Sequence, residues 1–177
     1  TGAIVNCQPF GGLKLSSFGR GLKAGGPNYL VQLMTIKESI KIEEKEIYLP
    51  EQLNVIKSHL LTHFPTAVSL WQISAISYLS DYENYFMTFI DPSNVLGQEN
   101  FTIYRPIKKC RLFLQHNDNC IDTYRIISAA IICKIKLEVV ASKPTIEKLK
   151  LRNLLLDFIL IESEEEQFAE KFLTDEE

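Results

Sequence analysis

The sequence predicts an α/β chain with a small parallel sheet in its C-terminal half, and three observations predict it. Short apolar runs recur at CRLFLQ (110–115), KLEVVAS (136–142) and DFILIES (157–163), each with the composition of a buried strand. Between them lie CIDTYRIISAAIICKI and TIEKLKLRNLLL, long enough for helices. Seven of the eight glycines fall before residue 27, so the N-terminal segment is built on different rules from the rest. Strands alternating with helices imply parallel pairing through crossovers, which makes residues 98–177 a Rossmann-like βαβαβα unit.

Taken in order, residues 1–36 combine two strand-like runs, AIV and YLVQLM, with an ordered glycine-rich loop between them. This segment has too little apolar surface for a core of its own, so it must pack on something else. Residues 37–97 read as a helical linker. In it, Leu53, Ile56, Leu60 and Phe64 form one apolar stripe, and Leu70, Ile73, Ile76 and the pair Tyr78 and Leu79 a second. Pro50 suits the first turn of a helix, Pro65 separates the two helices, and DPSNVLG is a turn. The aromatics from Trp71 to Phe89 could line a pocket, but at helical spacing they read first as core. In 98–177, Ala129 and Ala130 let the first helix lie close to the sheet. Glu164, Glu165 and Glu166 suit the first turn of the last helix, at the positive end of its dipole.

Composition narrows the function classes. Hydrophobic residues at 46% and charged residues at 23% are ordinary for a globular protein. No apolar run approaches the roughly 18 residues that cross a bilayer, and the N-terminus lacks a signal-peptide pattern, so the expected location is cytoplasmic. Opening at Thr1 within an apolar run reads as a piece of a longer polypeptide. A net charge of −3 argues against nucleic acid as a partner. Lys14, Arg20 and Lys23 make the glycine segment basic, whereas residues 162–177 are strongly acidic and read as a solvated helix. Cys7, Cys110, Cys120 and Cys133 form no CxxC pair and are expected to be reduced, mostly buried thiols. His59 and His63 stand at i, i+4 but lack the Glu of HExxH and a third ligand, so no metal is expected.

A dinucleotide site needs glycines in the first strand-to-helix turn, where the backbone curls around a pyrophosphate. Here that turn reads HNDNCID, without glycine and with Asp118 where a phosphate would sit. Gly19, Gly21 and Ala24 match GxGxxA in GRGLKA, yet Gly25, Gly26 and Pro27 follow and cannot open a phosphate-holding helix. The unit is therefore expected to bind no nucleotide.

QPFGG followed by GLKAGGPNYL resembles the C-terminal end of aldehyde dehydrogenases, in the 1-pyrroline-5-carboxylate dehydrogenase branch, and TGAIVNCQPFGG is similar to the text that precedes it there. The helical segment, VLGQENFTIYRP and the strand-helix-strand order resemble the region after the dehydrogenase in proline utilisation A, a family of bifunctional flavoproteins. The resemblance implies that residues 1–36 end an aldehyde dehydrogenase catalytic domain, that 37–97 is a linker and that 98–177 is a non-catalytic covering domain.

The same resemblance implies site residues. The backbone amides of Gly2 and Ala3 match the pair that anchors the carboxylate of glutamate γ-semialdehyde, and Phe10 matches the aromatic residue that packs on the aliphatic part of that substrate. Without the family, Phe10 reads as core. The nucleophilic Cys, the general-base Glu and the NAD site belong to upstream sequence, so no catalytic residue is expected here and Cys7 matches none of those roles. FAD is implied for a proline dehydrogenase domain of the longer chain. The implied partners are the remainder of the same polypeptide and further copies of it, with peripheral attachment to the inner membrane as an option. One departure is Ser17, where the branch more often has glycine. The competing expectation is a non-enzymatic interaction module that docks through its glycine-rich arm.

Overall fold

The computed structural model describes residues 9–11, 25, 30–35, 37 and 48–168. Within these the chain is mixed α/β, with a three-stranded parallel sheet and four α-helices. Two compact units divide it: Ile42–Tyr85 with Arg105–Glu177, and Thr1–Lys41 with Phe86–Tyr104.

In the larger unit, helix α1 spans Glu51–His63 behind Pro50, which takes the N-cap rather than the first turn. Its buried face carries Leu53, Ile56 and Leu60, as the spacing predicts. The chain leaves the helix at Phe64, and Pro65 opens a 3-10 turn because it has no N–H for the next helical bond. Helix α2, Val68–Asp81, corrects the expected stripe. The buried row is Val68, Trp71, Ala75 and Leu79, while Leu70, Ile73 and Ile76 are half-buried. Both rows satisfy helical periodicity. Trp71, with the largest apolar surface to hide, takes the inward position, and its indole N–H reaches Ser128 Oγ at 2.9 Å.

Strands β1 (Lys109–Leu114), β2 (Lys136–Ala141) and β3 (Ile159–Glu162) lie in chain order, and both pairs are parallel. Because side chains alternate between faces, Leu114, Leu137, Val139 and Ala141 join α1, α2 and α3 in one core. So the two helices of the segment read as a linker share the sheet's core. On the other face, Lys109 Nζ and Arg111 Nη2 meet the Glu138 carboxylate at 2.9 and 2.8 Å. These hydrogen bonds, Lys109 first, hold the buried Glu138 carboxyl below its usual range.

Helix α3, Cys120–Ile132, stops before the expected end of its run at Ile135. Lys134 adopts a left-handed φ of 56°, its N–H bonds to Ile131 O at 3.0 Å, and the Ile135 N–H bonds to Ala130 O at 2.9 Å. This is a Schellman closure built on lysine instead of glycine. The single helix expected over 145–156 does not form. Helix α4 covers only Lys143–Lys148, Lys150 turns left-handed at φ 54°, and a 3-10 turn follows at Leu151–Asn153. The reason is burial: Leu149 and Leu151 are both buried, but on one continuous helix they would lie about 200° apart. The turn at Lys150 brings both inward. After β3 a 3-10 turn at Glu165–Gln167 takes the place of the expected helical start, and Phe168 stacks near Phe113 at 5.1 Å.

In the smaller unit, Ile90 and Thr102 form an antiparallel bridge that closes the loop between them. The Asp91 carboxylate organises that loop, accepting from the Ser93 N–H and Oγ–H at 2.9 and 2.7 Å and from the Asn100 N–H at 3.0 Å. These bonds hold the Asp91 carboxyl at about 2. Gly97 takes φ 80°, a conformation open to glycine without strain. Among the described residues, no helix is long and apolar enough to cross a membrane.

Candidate functional site

In a parallel sheet the ligand crevice lies at the carboxyl ends of the strands, where a helix N-terminus offers free N–H groups. Here that place is the turn from Gln115 to Asn119, between β1 and α3. Asn119 caps α3: its Oδ1 accepts from the Asp122 N–H at 2.8 Å, and its Nδ2 donates back to Asp122 Oδ2 at 2.6 Å. Asp118 folds inward and accepts from the Gln115 N–H at 2.8 Å. The His116 N–H, from the same turn, donates to Glu165 at 2.5 Å. Lys148 of α4 spans the turn and donates to the His116 and Asp118 carbonyl oxygens at 2.7 and 3.0 Å.

Three carboxylates, Asp118, Asp122 and Glu165, thus lie along the turn into α3, where they accept from the Gln115 N–H, the Asn119 side-chain amide and the His116 N–H. An anion at this turn would meet like-charge repulsion. Arg125 is engaged by Asp122 at 3.3 Å and donates to Ser74 Oγ at 2.8 Å. An open crevice beside the turn, about 320 Å³, is lined by Phe64, Leu70, Cys120 and Arg125 among others. Burial pushes the Cys120 thiol up to about 11, so it stays protonated at neutral pH and is a poor nucleophile. Cys133 is also raised by burial.

A second polar cluster lies in the core. Tyr124 Oη donates to Leu149 O at 2.7 Å and stands 2.8 Å from His59 Nε2. With its proton given to the carbonyl, the hydroxyl accepts from a His59 Nε2–H. Burial, then the nearby His63, lowers the His59 pKa, while the Asn153 backbone acts in the opposite sense. The Nε2 of His59 is thereby occupied by Tyr124. Among the described residues no group of three or more His, Cys, Asp or Glu side chains gathers as a metal site.

Of the sequence-derived site residues, Gly2 and Ala3 lie outside the described residues, as does Cys7. Phe10 is described and is 54% exposed. Its neighbour Gly11 has φ 140°, and Gly25 has φ 65°, so the described glycines of that segment use backbone conformations that L side chains rarely adopt. Sequence reasoning missed the Trp71–Ser128 and Tyr124–His59 pairs. Ser128 and Tyr124 stand one turn apart inside an apolar helix, the pattern of buried polar groups that need partners.

No family model matches the chain, and no curated protein or solved structure matches it either.

Proposed function

We propose that this chain is the C-terminal part of a proline-catabolic enzyme. Its longer polypeptide oxidises glutamate γ-semialdehyde, formed from 1-pyrroline-5-carboxylate, to glutamate with NAD, and oxidises proline with FAD. The text QPFGG with GLKAGGPNYL, similar to the closing segment of that aldehyde dehydrogenase branch, carries the reading. In it, the amides of Gly2 and Ala3 hold the substrate carboxylate, and Phe10 covers the aliphatic part. The exposed ring of Phe10 supports a role outside the core. An upstream Cys thiolate adds to the aldehyde, NAD accepts the hydride, and water releases the acid from the thioester. The parallel sheet and its helices act as a non-catalytic covering domain. The carboxylates of Asp118, Asp122 and Glu165 beside the α3 N-terminus support this, since their charge opposes a pyrophosphate there. The reading places the enzyme in the cytoplasm, attached to its own upstream domains and assembled with further copies.

The test is NADH formation from 1-pyrroline-5-carboxylate by the complete polypeptide, compared with Ala3→Trp. A rise in KM with little change in kcat supports the anchor. An intact polypeptide that forms no NADH sinks the enzymatic reading. The remaining reading is then an interaction module, favoured by the fully exposed Leu96 and the exposed Phe89 and Phe101.

A further inference from the structure

The start of α1, the end of α3 and the segment ahead of β3 frame a recess of about 230 Å³ within the larger unit. Val55, Ile127, Ile131, Leu137, Leu156 and Phe158 line it with apolar surface. Two carboxylates border it, Glu51 at the first residue of α1 and Asp157 just ahead of β3. Neither belongs to an ion pair among the described residues, whose pairs involve Glu138, Asp122 and Glu162. Leu155, 84% exposed, carries the apolar lining out into solvent.

Apolar walls without facing atoms forgo dispersion contacts, and the recess has room for a large apolar side chain. Unpaired carboxylates from two separate elements favour a cation beside that side chain and repel an acidic one. Leu155 offers surface outside the recess, which a small amine held within it would not use but a peptide flank would. We infer that this recess docks a basic peptide segment of a partner protein. A Leu- or Phe-sized side chain enters it, and flanking Lys or Arg residues face Glu51 and Asp157. The inference rests on the larger unit alone and holds whether or not the longer polypeptide is a dehydrogenase.

The test uses the full 177-residue chain and a fluorescein-labelled peptide, a Leu-Phe pair flanked by lysines, read by fluorescence anisotropy at low salt. The control is the same pair flanked by glutamates. The lysine peptide binds and shifts the amide resonances of Val55, Ile131 and Leu156, and the glutamate peptide does not. The exposed double variant Glu51→Gln/Asp157→Asn weakens binding roughly threefold to tenfold. Val55→Trp fills the recess and removes binding; should it unfold by circular dichroism, the double variant decides alone. Equal binding of both peptides, no loss in the double variant, or shifts elsewhere overturns the inference.

Discussion

The helix-covered sheet and the loop Phe86–Tyr104 are ordered by opposite means. In the first, Leu53, Ile56, Trp71, Tyr124 and Val139 are wholly buried, and even the polar groups, His59 and Ser128, are drawn into the core and partnered there. In the second, Phe89 and Phe101 meet edge to face at 6.1 Å while both stay exposed, and the Asp91 carboxylate and the Ile90–Thr102 bridge tie its described residues together. A core distributes its stability over many contacts and loses much when one large member is cut away. The turn that Asp91 organises depends on the charge of that carboxylate.

The sharpest way to break the comparison is Trp71→Ala. It removes the largest buried side chain and leaves the Ser128 hydroxyl without its indole donor, so the larger unit loses about 3–5 kcal/mol in urea unfolding. If the loss stays below that of an exposed-site control, the core account is wrong.

Next is Tyr124→Phe, which leaves Leu149 O and His59 Nε2 without their Tyr124 partner in the interior and costs about 1–3 kcal/mol. The same site sets a pH dependence. The folded-state pKa of His59 lies below its unfolded value of about 6.5, so its contribution is fully present above that pH. As pH falls from there towards the folded pKa, the unfolded chain takes up the proton first and stability declines. His59→Gln flattens this part of the curve in pH-dependent denaturation.

A smaller effect, of opposite sign, is expected at the helix end. Lys134→Gly relieves the left-handed strain at φ 56° and stabilises the larger unit by roughly 0.5–1 kcal/mol, after the extra unfolded-state entropy of glycine is set against it.

The smallest global effect belongs to Asp91→Asn, which sharpens the contrast. Hydrogen-exchange protection falls at the Ser93 and Asn100 amides, while the Tm of the larger unit stays unchanged. For wild type the same protection is full above the ordinary aspartate pKa and is lost as pH falls towards about 2. A matching drop in Tm would show that loop and core are one cooperative structure.

Legibility followed the same divide. Strands β1 to β3 stood out as short apolar runs, and the buried face of α1 followed from Leu53, Ile56 and Leu60. That the turn HNDNCID lacks glycine and carries Asp118 was legible; that Glu165 also reaches it, from a residue 49 positions away, was not. The inward face of α2 was misread because two rows of apolar residues share one period. The ends of α3 and α4 were hidden because lysine, a good helix former, occupies the left-handed positions at 134 and 150.

By itself, then, the sequence determined what depends on near neighbours: the alternation of strand and helix, the breaks at Pro50 and Pro65, and the turn at Asp91. Only the tertiary structure decided which of two helix faces turns inward, where a helix yields to pull both Leu149 and Leu151 into the core, and that Glu165 reaches the turn ahead of α3. The physical reason is that local backbone preferences differ by a few tenths to about 1 kcal/mol per residue, whereas burying one large side chain is worth about 1.5–3 kcal/mol. Where the two conflict, burial prevails, and burial depends on partners far away in the chain.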